Sequence, residues 1–71
     1  MTIEWKEFDR IMIEAEWLLN KNRLSHGFAK ALKRNKCWKN NAPYCSWENF
    51  TYKLTNDQIA DICRAYTVLK G

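Results

Sequence analysis

The strongest constraint on the fold is a stripe of apolar residues near the start of the chain. Trp5, Phe8, Ile11, Met12, Ala15, Leu18 and Leu19 recur at spacings of three and four. At about 100° per residue they fall on one side of a helix. The stripe predicts a long first helix over residues 3–22, with its apolar side on the core. Thr2 is the expected N-cap, and Glu4 suits the positive helix end. A chain of 71 residues buries only about 60% of its unfolded surface, so each large side chain counts. Only two Gly and one Pro are present, which leaves few turns and argues against a many-stranded sheet.

Two further helices follow from local signals. "NKNRL" breaks the first pattern, and Ser25 can cap a second helix over residues 26–35. Its apolar side holds Phe28, Ala31 and Leu32, with Ala29 at the edge; Gly27 weakens its first turn. In "LTNDQI", Thr55 and Gln58 form a capping box, and Leu54 and Ile59 are spaced for a hydrophobic staple. Ile59, Ile62, Cys63, Tyr66 and Leu69 continue on one face, Lys70 suits the negative helix end, and Gly71 follows. Residues 36–50 read as a loop, and "FTYKL" as a short extended stretch. The expected fold is therefore all-α: one domain over residues 1–71, three helices with the first longest, and an aromatic-rich loop between helices two and three.

No apolar run approaches the roughly 20 residues of a membrane span. The acidic start "MTIEWKEF" does not resemble a secretory signal. The expectation is a soluble, cytoplasmic protein with no membrane partner.

Catalytic and metal signals are missing. The chain has one histidine, His26, and no spacing assembles a nucleophile–base set. Two glycines are too few for a phosphate-cradling loop. His26, Cys37, Cys45 and Cys63 lack the close C-x₂₋₄-C pairs of zinc sites. The expectation is no enzyme, no metal and no cofactor. The Asn49–Thr51 "NFT" triplet matches a glycosylation pattern that has no meaning in the cytosol. An odd cysteine count without a signal peptide favours free thiols. Cys63 falls on an apolar helix face, while Cys37 and Cys45 flank one loop that a disulfide could close.

Charge is segregated. Residues 1–20 carry five acids against Lys6 and Arg10, whereas residues 21–41 carry seven Lys/Arg, one His and no acid. On a second helix, His26, Lys30, Lys33 and Arg34 share one face; Arg23 precedes it, and Lys36 and Lys39 continue it. Trp38, Tyr44, Trp47, Phe50 and Tyr52 come next, with Asn40 and Asn41 among them. Lys and Arg gathered on one surface supply phosphate contacts, and aromatics beside them can stack on unpaired bases. A solvated helix face and an aromatic lid on the core are the plainer reading of the same residues. A helix-turn-helix fits poorly, because the first connection lacks the usual Gly turn and the second is too long.

The expected function is thus a small non-enzymatic nucleic-acid-binding or regulatory protein. Its candidate residues are Arg23, His26, Lys30, Lys33, Arg34, Lys36, Trp38 and Lys39, and the partner is DNA, RNA or a nucleic-acid-associated complex. The alternative is a protein-docking inhibitor or adaptor, such as a phage- or plasmid-encoded antagonist of a host defence or nucleic-acid-processing machine. Ile13 and Trp17, opposite the core stripe, are its candidate contact. The positive net charge of +4 argues against an acidic mimic of DNA.

Overall fold

A computed structural model describes residues 4–45 and 54–70. Helix α1 spans Trp5–Asn20, α2 spans His26–Arg34 and α3 spans Asn56–Lys70. Between α2 and α3 lies a short antiparallel hairpin, with β1 at Trp38–Lys39 and β2 at Ala42–Pro43. The described chain is mostly helical, but the all-α expectation is corrected by this hairpin. Trp38 pairs with Pro43 and Lys39 with Ala42. The two linking residues, Asn40 and Asn41, have φ of 54° and 64°. A two-residue turn with both φ positive matches the right-handed twist of the strands, and Asn tolerates it better than most residues.

The helix ends have local causes. Glu4 occupies the N-cap of α1, without a side-chain capping bond; Thr2 lies outside the described residues. At the other end Asn22 has φ 55°. Asn22 N–H donates to Leu19 O at 3.0 Å and Arg23 N–H to Leu18 O at 2.8 Å. These paired bonds form a Schellman closure with Asn at its left-handed position. Ser25 Oγ accepts from Phe28 N–H at 3.0 Å and starts α2. Helix α2 ends in a second Schellman closure: Lys36 N–H donates to Lys33 O at 3.1 Å, and Cys37 N–H to Leu32 O at 2.7 Å. Here Lys36 takes the left-handed position, with φ 63°. At α3 the capping box is reciprocal. Thr55 N–H donates to Gln58 Oε1 at 2.7 Å, and Gln58 N–H to Thr55 Oγ1 at 3.2 Å.

The core gathers Phe8, Ile11, Met12 and Ala15 from α1, Phe28, Ala31 and Leu32 from α2, and Ile59, Ile62, Cys63 and Tyr66 from α3. Cys37 and Cys45 join it from either side of the hairpin. Trp5, Leu24, Leu54 and Leu69 pack around its edge. Phe28 and Tyr66 meet at a ring separation of 5.6 Å across the α2–α3 contact. Helix α3 lies against both other helices, β1 against α2 and β2 against α1. The hairpin is thereby seated against both α1 and α2. The extended stretch expected at Phe50 and Tyr52 lies outside the described residues. No helix among the described residues is long and apolar enough to cross a membrane.

Candidate functional site

Helix α2 is amphipathic in the strict sense. Phe28, Ala31 and Leu32 are buried, and His26, Lys30 and Lys33 stand exposed on the opposite side. Arg34 occupies one shoulder of this face, toward α3; Lys33 leans to the other, toward the hairpin. Arg23 lies exposed before the helix, and Lys36 and Lys39 lie exposed beyond it.

Arg34 is set apart from the other bases. Its guanidinium binds Asp61 of α3, with Nη2 2.7 Å from Oδ2 and 2.9 Å from Oδ1, and Nε 3.2 Å from Oδ2. Asp61 also accepts from Asn35 Nδ2 at 2.6 Å, and Arg64 approaches it at 3.8 Å. The Arg34 guanidinium, with the Asn35 amide, holds the Asp61 carboxyl below its usual range. Arg34 therefore joins α2 to α3, and its charge is largely offset.

Lys30, Lys33, Lys36 and Lys39 form no ion pair with any described residue, nor do Arg23 and His26. Two of these lysines rest on aromatic rings. Lys33 Nζ lies 5.1 Å from the centre of Trp38, and Lys39 Nζ 5.9 Å from the centre of Tyr44. A ring face orients an ammonium without neutralising it, so its N–H groups stay available to an anion. Tyr44 is held in turn by its hydroxyl, which donates to Lys36 O at 2.8 Å.

The acids cluster elsewhere. Glu14 on α1 accepts from the Tyr66 hydroxyl, from Lys70 Nζ at 2.5 Å and from Arg10 at 3.2 Å. The Lys70 ammonium and the Tyr66 hydroxyl hold its carboxyl below the usual range. Arg10 also binds Glu7. The ion pairs thus lie within α1, within α3, between α1 and α3, and between Arg34 and α3, and none among the described residues reaches Lys30, Lys33, Lys36 or Lys39.

Among the sequence-predicted residues, the structure sets His26, Lys30 and Lys33 exposed on α2, joins Lys33 to the hairpin through Trp38, leaves Lys36 and Lys39 exposed beyond the helix, and engages Arg34 with Asp61. Trp38 is half-buried against the core. Its indole Nε1 is sealed from solvent, with no acceptor among the described residues, so it has no route to donate to a ligand. Tyr44, 42% exposed, is the aromatic that faces outward. The sequence places it among the aromatics beside the bases, and the Asn40–Asn41 turn carries it back toward Lys36. Trp47, Phe50 and Tyr52 lie outside the described residues.

On α1, Ile13 is 70% and Trp17 52% exposed. They sit one turn apart, opposite Phe8, Ile11, Met12 and Ala15, with Lys21 Nζ 6.0 Å from the Trp17 ring. No set of three His, Cys, Asp or Glu among the described residues is arranged to hold a metal ion. No family model, curated protein or solved structure matches the chain.

Proposed function

We propose that the chain is a non-enzymatic nucleic-acid-binding protein that meets phosphate along the outer face of α2 and the adjoining hairpin. The observation that carries this reading is the segregation of unpaired charge. Lys30, Lys33, Lys36 and Lys39 lack ion pairs with described residues, whereas Arg10, Arg34 and Lys70 are paired with Glu14, Asp61 or Glu7. A phosphate backbone is the polyanion that such a surface fits, and release of its counterions drives binding. The four lysines offer compact point charges and not planar forks, so their contact is to backbone and carries little sequence preference. Tyr44 adds one exposed ring beside them.

Fluorescence anisotropy with labelled duplex DNA, single-stranded DNA and RNA, each at two salt concentrations, tests the reading. Micromolar or tighter binding that weakens steeply with salt is the expected result. Absence of binding to all three at low salt refutes it.

A second reading rests on Ile13 and Trp17. Two large apolar side chains exposed one turn apart suit a protein-docking inhibitor or adaptor, with Trp17 as the anchor. Trp38 serves this role poorly, because its ring packs on the core. Capture of a stoichiometric protein that survives nuclease, and is lost in Trp17→Ala, favours docking; capture unchanged by Trp17→Ala removes the proposed anchor.

A further inference from the structure

Cys37 follows the turn that ends α2, and Cys45 follows the hairpin. Cys37 is fully buried, Cys45 is 5% exposed, and both are free thiols within one core. The Asn40–Asn41 turn folds the chain back until Tyr44 N–H donates to Cys37 O at 3.2 Å. Beyond that bond the strand pairing stops. Tyr44 is exposed to solvent, whereas Cys45 turns inward to the buried cluster that also holds Cys37. There the Cys37 thiol donates to Asn35 O at 3.7 Å. Cys63 belongs to the same core but arrives from α3.

We propose that Cys37 and Cys45 form a dithiol modification site, which a low-molecular-weight disulfide of the glutathione type converts into an intrachain disulfide. The site stands independently of what meets the basic face. One cysteine thiolate attacks a sulfur of glutathione disulfide; a protein–glutathione mixed disulfide forms, and one glutathione leaves as a thiolate that takes up a proton. The second cysteine, as thiolate, then attacks the protein sulfur of the mixed disulfide and expels the other glutathione. Two protein thiols are oxidised and one glutathione disulfide is reduced to two thiols, with no other reactant.

The fold sets both the rate and the selectivity. Both sulfurs are closed off from solvent, and burial pushes the Cys45 thiol up, with the Cys37 thiol adding to the effect. The first attack therefore draws on opening of the hairpin, and it is slow. When the hairpin closes again it returns the partner thiol, and not Cys63, to the reacting sulfur. The resulting bond joins the end of α2 to the segment after β2, and so staples the hairpin that carries Trp38 and Lys39.

The test uses the native chain with glutathione disulfide and no denaturant, followed by acid quenching, alkylation and tryptic digestion. Cleavage after Lys36, Lys39, Lys53 and Arg64 places Cys37, Cys45 and Cys63 in separate peptides, so each pairing gives its own linked mass. Cys37 and Cys45 are 8 positions apart, and Cys45 and Cys63 are 18 apart. Loop closure in an unfolded chain favours the shorter pairing by only about threefold over Cys45–Cys63 and about sixfold over Cys37–Cys63. The native protein is expected to exceed both, with Cys37–Cys45 at least about tenfold over either pairing with Cys63. Oxidation should also raise the melting temperature by roughly 10 °C. Ratios near the loop-closure values, a predominant bond to Cys63, a glutathione adduct that never resolves, no oxidation, or a lowered melting temperature each overturns the proposal.

Discussion

The Arg34 guanidinium clasps the Asp61 carboxylate across 27 residues of sequence, with Nη2 2.7 Å from one oxygen and 2.9 Å from the other. Asn35 completes the arrangement, donating its Nδ2 to both Asp61 and Ala31 O. The C-terminal end of α2 is thereby fixed to the middle of α3, and the hairpin that follows α2 inherits that position. Asp61→Ala removes the acceptor for both partners and leaves the Asn35 amide, only 6% exposed as a residue, with one bond fewer. The Arg34 side chain is 58% exposed, so solvent screens much of the ion pair. The expected loss is about 1–2 kcal/mol, read as a fall in melting temperature of roughly 5–15 °C. Arg34→Gln should lose part of the same energy, and the double variant should lose less than the sum of the two.

Acid should weaken the same link. The Asp61 pKa is lowered in the folded protein, principally by Arg34, while in the unfolded chain it is about 3.9. A group with a lowered folded pKa contributes stability that is full above the unfolded value and is lost as pH falls through the folded one. Glu14, held down by Lys70 and Tyr66, acts in the same direction. Melting curves from pH 7 to pH 2 should therefore show stability falling below about pH 4–5. Asp61→Asn mimics the protonated carboxyl, so its deficit against the parent chain at pH 7 should shrink toward zero at the acid end. A deficit that is constant with pH would show that the charge of Asp61 does not carry the link.

Two backbone positions should respond with opposite chemistry. An added Cβ at Gly27 meets no atom within 4 Å, and its helical setting favours Ala by about 0.5–1 kcal/mol. Gly27→Ala should raise the denaturation midpoint accordingly. Lys36 sits at φ 63° in the closure of α2, where glycine is the unstrained residue. Lys36→Gly should stabilise by about 0.5–1 kcal/mol, net of the greater freedom it gives the unfolded chain. Chemical denaturation of each variant checks both signs; destabilisation by Lys36→Gly would mean that its side chain holds the turn.

What was legible in the sequence was what short spacing encodes. Ser25, the Thr55–Gln58 box and the α1 stripe all act within one or two helical turns, and all three appear in the structure. The hairpin was not legible, because each strand supplies only two residues and neither shows alternation. Its only signal was Asn40–Asn41, a pair able to hold positive φ. Helical spacing alone puts Arg34 with the other bases, on the same face as Lys30. Its partner Asp61 lies 27 positions away, and no local pattern links them. The half-burial of Trp38 has the same origin, since it depends on where the hairpin rests against α2.

The distinction between Arg34 and its neighbours gives the sharpest test of the proposed interface. If Lys30 and Lys33 meet phosphate, each should contribute close to one unit to the slope of log K against log salt. Lys30→Gln with Lys33→Gln should therefore reduce the steepness by about two units and weaken binding to every sequence alike. Neither side chain is buried or ion-paired with a described residue, so the melting temperature should change by no more than a few degrees. Lys39→Gln should behave similarly, because the Tyr44 ring face leaves its ammonium charge in place. Arg34→Gln should give the reverse result: a lower melting temperature and a slope nearly that of the parent chain. A slope loss for Arg34→Gln equal to that of either lysine would place its guanidinium on phosphate instead of on Asp61, and would redraw the interface toward α3.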